Sequence, residues 1–250
     1  MAIIHTGGKR GRFYPPDEGN CFAWYDAADD SSIALNGSDV SQWNDKSGNG
    51  RHVVQGVSAA QPAYTDTVNG KNVITFDGVT EYLEGAITAY TGTTMTTYLM
   101  CKKIGAGTTS SVLALRDSAE TDVADTVGQS YNVYEQVALY SRTYRGAARS
   151  QIAAPVIVAG EQYLARAYHN GTNMQIFRTN STSNYAGDII ASVAAFDFNR
   201  ILLGSRYSAG AYTPSYVGYI CEIIMYSSAI GKDSATDRRI TDYLLSKWGI

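Results

Sequence analysis

From Cys21 onward, strand-like segments alternate with turn signals at intervals of roughly eight to twelve residues, and this spacing constrains the fold more than any other feature. Residues 94–102 alternate between two sets of side chains, as expected of a strand. Residues 161–179 read as a hairpin that turns at Asn170 and Gly171. Helical periodicity is scarce before residue 234. The pattern predicts an all-β chain that folds as a sandwich or a barrel.

The last strand of the pattern covers residues 219–226, and both of its faces are mostly apolar. Strict alternation predicts that Tyr219, Cys221, Ile223 and Met225 share one face and that Ile220, Glu222, Ile224 and Tyr226 share the other. A strand covered on both sides lies inside the fold, so the rest of the chain is expected to pack around it.

A single substantial helix is predicted after this strand, from about residue 234 to residue 247. Asp233 or Ser234 can cap its start. Asp237 in the first turn and Lys247 in the last oppose the helix dipole. The spacing predicts a buried stripe made of Ile240, Tyr243, Leu244 and Trp248.

Composition fits a turn-rich β protein, with 24 Gly and 19 Tyr among 250 residues. The net charge of −3 and the pI of about 5.6 give no global attraction to nucleic acid or to an anionic membrane, so neither is predicted as a partner. There is no long apolar run and no signal peptide, which predicts assembly in a host cytoplasm. The three cysteines form no metal motif and are predicted to be buried thiols.

Several segments together resemble the concanavalin A-like (LamG-like) jelly-roll domains of phage and bacterial surface proteins. They are residues 24–28 (WYDAA), 40–50 (VSQWNDKSGNG), 61–64 (QPAY), 69–78 (NGKNVITFDG), 218–226 (GYICEIIMY) and 243–250 (YLLSKWGI). The resemblance covers roughly residues 20–250 and implies a two-sheet antiparallel jelly-roll sandwich with one C-terminal helix. It says little about function, because the same sandwich carries lectins, glycanases and adhesion modules.

Residues 1–19 differ from the rest in being basic, rich in glycine and then stiffened by two prolines. We predict an extended N-terminal arm over residues 1–19 and a sandwich domain over residues 20–250. Too little apolar surface is present for the arm to fold alone, so it is expected to dock on a neighbouring subunit. The predicted contact residues are Lys9, Arg10, Arg12, Phe13 and Tyr14.

Catalytic signatures are missing from the sequence, so the chain is predicted not to be an enzyme. Glycan cleavage needs two carboxyl groups across one cleft, and no strand carries a suitable pair. Glu81 and Glu84 are three positions apart, which places them on opposite faces of a strand. Glu222 lacks an acidic partner on its own face and is read as structural.

No cofactor or metal is predicted. Structural calcium is the one alternative left open, because loop oxygens of Asp26, Asp29, Asp30, Asp45 and Asn49 could supply ligands. Their spacing matches no calcium loop, so turn and cap roles are favoured.

Tyrosine and arginine form two clusters that fit a protein interface or stacking on sugar rings. The candidates for glycan or neighbour contact are Tyr131, Tyr134, Tyr140, Arg142, Tyr144, Tyr207, Tyr212 and Tyr216.

The main functional prediction is a non-enzymatic structural protein on the surface of a phage virion, as a capsid decoration or a tail-associated module. Its predicted partners are other virion proteins, with homo-oligomer formation, and the arm is the feature that favours assembly. The alternative is a carbohydrate-binding module for attachment to host or surface glycans. A glycan hydrolase is the weakest reading because the carboxylates are missing.

Overall fold

The structure is a computed structural model, and it describes residues 13–105, 110–118, 129–135, 139–145, 148–154, 157–180, 184–186, 190–191, 195–208 and 210–250. The first strands are β1 (Cys21–Asp26), β2 (Ile33–Asn36), β3 (Asp39–Trp43), β4 (Val53–Val54), β5 (Thr67–Val68), β6 (Lys71–Asn72), β7 (Ile74–Asp77), β8 (Leu83–Gly92), β9 (Thr94–Lys103) and β10 (Ser110–Arg116). The later strands are β11 (Gln129–Glu135), β12 (Leu139–Arg145), β13 (Ala148–Ala154), β14 (Gln162–Asn170), β15 (Asn173–Thr179), β16 (Asn184–Ala186), β17 (Ile190–Ala191), β18 (Phe196–Leu203), β19 (Ser205–Ser208), β20 (Ala211–Pro214) and β21 (Val217–Tyr226). Three short 3₁₀ helices (Pro15–Glu18, Asp30–Ser32 and Ser58–Ala60) and one α-helix, α1 (Ala235–Trp248), complete the described part of the chain.

Two large antiparallel sheets form a sandwich, which confirms the predicted all-β jelly-roll class with one C-terminal helix. In the described residues, one sheet runs β1-β21-β9-β14-β15-β16, with β7 and β17 pairing beside it. The other runs β13-β12-β11-β10-β18-β8-β4-β3-β2. The predicted hairpin is present as β14 and β15. The last strand, β21, lies inside its sheet between β1 and β9, as its two apolar faces predicted.

The sheet that contains β21 has an apolar layer on each face. Between the sheets, Leu99 and Ile223 pack with Leu113 and Ile201 of the opposite sheet. On the outer face, a second core forms beneath α1 and includes Trp248. The molecule is therefore three layers deep at this point, with two sheets and then the helix.

Helix α1 has the predicted cap and three of the four residues of the predicted buried stripe, whereas Tyr243 is only partly buried. The Ser234 side chain accepts a 3.1 Å hydrogen bond from the backbone N–H of Asp237. Ile240, Leu244 and Trp248 are fully buried against the sheet. Gly249 ends the helix in the left-handed conformation, at φ 72°, where a side chain would be strained.

The prediction that side chains alternate strictly between the two faces of β21 is wrong for the first half of the strand. A register shift against β9 falls between Ile220 and Glu222. Ile220 joins the core between the sheets, whereas Cys221 joins the core under the helix together with Ile224. A bulge adds one residue to one strand of a pair. The side chains before the bulge therefore lie on the opposite face from the one that a regular period of two predicts.

None of the three cysteines, all within the described ranges, forms a disulfide, and Cys101 and Cys221 are buried as predicted, whereas Cys21 is only partly buried. In the described part of the chain, no helix has the length and apolar character needed to cross a membrane.

Candidate functional site

A cleft of about 670 Å³ opens on the outer face of the sandwich, beside the last turns of α1. It lies between residues 13–14, the end of β1 with the turn after it, the loop that follows β3, the start of β6, and the helix. Its lining consists of Phe13, Tyr14, Trp24, Asp26, Ala28, Asp29, Lys46, Lys71, Tyr243 and Lys247. The lining combines aromatic rings with charges of both signs, which is the composition of a site for a polar ligand that also has apolar faces.

Phe13 and Tyr14, which line one wall of the cleft, begin the segment of residues 13–19, which we call the strap. Its centre is the 3₁₀ helix Pro15–Glu18, which begins with two prolines because their fixed φ suits a first helical turn. Pro15 is buried, and its carbonyl oxygen accepts a 3.0 Å hydrogen bond from the hydroxyl of Tyr226. At the other end, Glu18 pairs with Arg239 of α1. The strap therefore folds onto its own chain.

Four aromatic rings line the wall between the strap and the helix. The ring of Phe13 lies 4.9 Å from that of Tyr243, centroid to centroid. Tyr14 meets Trp24 edge to face at 5.3 Å. Trp24 is only 5% exposed, because Lys46 also covers its ring, whereas Tyr14 is 45% exposed. Tyr14 is therefore the ring that a ligand can reach most easily.

The cleft floor carries a line of alternating charges. The ammonium of Lys46 lies 2.6 Å from Asp29 Oδ2 and 2.9 Å from Asp26 Oδ2. The other oxygen of Asp26 lies 2.5 Å from the ammonium of Lys247. Lys247 in turn lies 2.7 Å from Glu222 Oε2. Each lysine thus bridges two carboxylates, and the five charged groups hold one another in place.

These pairs keep the cleft carboxylate of Asp29 ionised. Hydrogen bonds from Lys46 and Ser31 lower the pKa of Asp29 from its ordinary value. Burial alone would lower the pKa of Lys46, but its bonds to Asp29 and Asp26 outweigh burial and raise that pKa. Both groups are therefore charged at neutral pH.

Glu222 lies beneath the floor and is fully buried. Its carboxylate accepts hydrogen bonds of 2.8 Å from the indole nitrogens of Trp24 and Trp248 and from the hydroxyl of Tyr243. Burial, together with the nearby charge of Asp26, raises its pKa. The sequence-based reading of Glu222 as a structural residue agrees with this geometry. Its partners come from β1 and α1, not from its own strand.

The structure places the predicted arm residues in two groups. Phe13 and Tyr14 belong to the strap and pack on Tyr243 and Trp24 of the same chain. Lys9, Arg10 and Arg12 lie outside the described residues. Docking of the arm on a neighbouring subunit stays a prediction, but its two proposed aromatic anchors already have partners within the chain.

The members of the predicted tyrosine clusters whose side chains the structure describes, Tyr207, Tyr212 and Tyr216, do not line the cleft. Tyr207 and Tyr212 form a separate cluster in which Tyr82 stacks on Tyr212 at 4.3 Å and Arg116 lies 4.1 Å over the ring of Tyr207. Tyr216 is fully buried between the sheets, which removes it from the predicted contact surface. The side chains of Tyr131, Tyr134, Tyr140, Arg142 and Tyr144 lie outside the described residues.

The residues considered for calcium have other bonds. Asp26 and Asp29 pair with lysine, and Asp45 accepts from the backbone N–H groups of Trp24 and Ser47. Asp30 accepts from Tyr64 and Asn72, while the side chain of Asn49 donates to the carbonyl oxygen of Cys21. Within the described ranges, no group of three or more His, Cys, Asp and Glu side chains is arranged to hold a metal ion.

The cleft as a unit is not predictable from local patterns in the sequence. The sequence indicates Asp26 and Asp29 only as possible loop ligands and Lys247 only as a charge that opposes the helix dipole. No pattern in the sequence indicates a functional role for Lys46 or Lys71. The lining residues come from opposite parts of the chain, and nothing local in the sequence indicates that they meet.

No protein-family model matches this chain, and no curated protein matches it in sequence. Solved structures do match. A mutant of a GH54 α-L-arabinofuranosidase is 13% identical with a TM-score of 0.58, covering 84% of this chain and 51% of that one. Trypanosoma rangeli sialidase in complex with the inhibitor DANA is 13% identical with a TM-score of 0.52, covering 90% of this chain and 33% of that one.

A third match is the Ruminococcus gnavus IT-sialidase CBM40 bound to α2,3-sialyllactose, with 14% identity, a TM-score of 0.46, and coverage of 63% of this chain and 83% of that chain. That TM-score is too low to support a conclusion. The chain spans about half of the arabinofuranosidase and a third of the sialidase. At these identities the matches show a β-sandwich, which is consistent with the concanavalin A-like fold, and none shows the LamG-like or phage type.

Proposed function

We propose that this protein binds glycans, without cleaving them, in the cleft beside helix α1. The observation that supports the proposal best is the exposed ring of Tyr14, which shares the cleft with the ion pair of Asp29 and Lys46. A sugar ring has an apolar C–H face that can lie on an aromatic ring and hydroxyl groups that need donors and acceptors. The cleft offers an exposed aromatic ring in its wall and charged donors and acceptors in its floor.

The charged floor suits hydroxyl groups because its side chains are already fixed. Carboxylates accept hydrogen bonds from sugar hydroxyls, and ammonium groups donate to them. Since Asp26, Lys46 and Lys247 hold one another through ion pairs, a ligand does not have to order them on binding. Less conformational entropy is lost, and weak contacts can then add up to a measurable affinity.

Binding without cleavage is supported by the state of the two cleft carboxylates. Glycoside hydrolysis uses one carboxyl group as a proton donor and the other as a nucleophile or base. The pKa of Asp29 is lowered, so this carboxylate is not suited to donate a proton, and both oxygens of Asp26 are occupied by lysine. Glu222, the carboxyl group whose pKa is raised, is buried beneath the floor.

The virion role, the virion location and the homo-oligomer stay predictions from the sequence. Within the described residues, no contact favours them. The fold alone does not favour glycan binding either, because one sandwich supports many functions. The proposal therefore depends on the residues of the cleft.

The test is a glycan array followed by calorimetry on any glycan that binds. Losing one stacked ring is worth about 0.5–1.5 kcal/mol, so Tyr14→Ala is expected to weaken binding about three- to tenfold. Tyr14→Phe keeps the ring and is expected to bind nearly as well. Tyr207→Ala removes a tyrosine outside the cleft and serves as the matched control. Binding that is lost with Tyr207→Ala but not with Tyr14→Ala would place the site elsewhere.

A further inference from the structure

We propose that Glu18 is a positioning residue for the cleft, which acts by clamping the strap to helix α1 through Arg239. The inference rests on the proposed function, because it concerns how the same cleft is kept ready for a ligand. Neither Glu18 nor Arg239 lines the cleft, so the clamp acts through the strap and not by touching the ligand.

The clamp is a bidentate contact between a guanidinium and a carboxylate. Arg239 Nε donates to Glu18 Oε1 at 2.7 Å, and its Nη2 donates to Glu18 Oε2 at 2.5 Å. The hydroxyl of Thr236, one helical turn earlier, also donates to Glu18 Oε2 at 3.1 Å. Parallel bonds from a guanidinium to a carboxylate fix orientation as well as distance. Glu18 is therefore held in one place above the helix.

The strap can transmit this constraint from Glu18 to Tyr14. The backbone N–H of Asp17 donates to the carbonyl of Tyr14 at 3.0 Å, and that of Gly19 donates to the carbonyl of Pro16 at 3.1 Å. The prolines restrict the same turn further. Residues 14–19 thus behave as one short rigid unit, and fixing one end fixes the other.

The strap needs such a clamp because its other anchors are few. Pro15 is buried and is held by one bond from Tyr226, while Phe13 is only partly buried and Tyr14 is largely exposed. If the clamp is broken, we expect the strap to leave the helix for part of the time. The cleft then loses Phe13 and Tyr14 from its wall.

Affinity follows from the fraction of molecules with the strap in place. The apparent Kd equals the intrinsic Kd divided by that fraction, so a closed fraction of about one tenth would weaken binding about tenfold. The effect does not depend on which glycan is bound. It also appears without ligand, as faster exchange of the amide hydrogens of Asp17 and Gly19.

The experiment compares Glu18→Arg, Arg239→Glu and the double variant that exchanges the two charges. Each single variant places like charges together, and we expect about tenfold weaker binding of the glycan found on the array, with faster exchange at Asp17 and Gly19. The double variant restores the pair and is expected to return both measurements close to wild type. Arg238→Glu makes the same change of charge on an exposed neighbour of the same helix and is expected to change neither.

The two measurements separate failure of the clamp from failure of the proposed function. Faster exchange in the single variants, restored in the double variant, supports the clamp even when no glycan binds the wild-type protein. In that case, glycan binding is what has failed. Single variants that exchange and bind like wild type, or a double variant that stays as weak as the single ones, would overturn the clamp.

Discussion

The indole nitrogen of Trp248 donates a 2.8 Å hydrogen bond to the buried carboxylate of Glu222, and this bond connects the last turn of the helix to strand β21. Each residue supplies what the other lacks. The carboxylate needs donors because it is cut off from water, and the indole N–H needs an acceptor because it is buried. The pair also supports the floor of the cleft, because the carboxylate of Glu222 forms an ion pair with Lys247, which lines the cleft.

We expect Glu222→Ala to destabilise the protein by about 3–5 kcal/mol, the usual cost of removing one partner of a buried ion pair. The change removes one of the two carboxylates that pair with Lys247 and deprives both indoles of their acceptor. Urea denaturation measures the loss. The double variant Glu222→Leu with Lys247→Met removes both charges and should recover part of it, so an equal loss in both proteins would contradict this account.

Trp248→Ala should cost about 3–5 kcal/mol, as a large-to-small change in a packed core. Trp248 is fully buried beneath the helix, so its removal leaves a cavity between α1 and the sheet. Melting followed by circular dichroism measures the effect. Arg238→Ala, on the exposed face of the same helix, is the control and should melt like wild type. An unchanged melting temperature for Trp248→Ala would mean that the helix is a loose appendage.

Deletion of residues 1–16 should lower the free energy of unfolding by about 1–3 kcal/mol, from the lost burial of Phe13, Tyr14 and Pro15 and the lost bond to Tyr226. A purely extended arm would leave stability unchanged, which is what the sequence alone predicts. Denaturation of the truncated and full chains distinguishes the two expectations. Stability equal to that of the full chain would show that the strap adds nothing to the sandwich.

Acid should release the strap. Hydrogen bonding to Arg239 lowers the pKa of Glu18, so the folded state holds this proton less tightly than the unfolded state does. The contribution of Glu18 to stability is therefore complete above its ordinary pKa of 4.5 and is lost as pH falls through the lowered value. Amide exchange at Gly19 should be slower in wild type than in Glu18→Gln at neutral pH. The difference should vanish in strong acid, and a constant difference would contradict this.

The native thiols should react slowly with a disulfide reagent at pH 8. Burial, with a contribution from Asp45, raises the pKa of Cys21 to about 12, so little of it is thiolate. Cys101 and Cys221 are buried. All three cysteines should react once the chain is unfolded in guanidinium. If one thiol per chain reacts immediately in the native protein, Cys21 is accessible to the reagent and this prediction is wrong.

Local patterns were enough to predict much of the fold. The cap at Ser234, the stripe that ends at Trp248 and the hairpin turning at Asn170 each depend on residues a few positions apart. The faces of β21 were only partly predictable, because alternation assumes a regular ladder and the register shift before Glu222 breaks it.

The cleft could not be predicted in the same way. Trp24 and Glu222 are 198 positions apart, and no local pattern in a single sequence pairs them. The strap was missed for a related reason. The basic, glycine-rich residues before it predict an extended arm that docks on a neighbouring subunit, whereas the residues that hold the strap in place, Tyr226 and Arg239, lie at the other end of the chain.

The bond between Glu18 and Arg239 spans 221 positions, which has a consequence for synthesis on the ribosome. Residues that line the cleft at Tyr14 and Asp26 are translated early, but Tyr243 and Lys247 follow only after both sheets have been translated. A nascent chain that stops before the helix therefore exposes the outer face of β21 and has no cleft. The cleft can form only when translation of the helix is complete, and until then this apolar face is where a chaperone would be expected to bind.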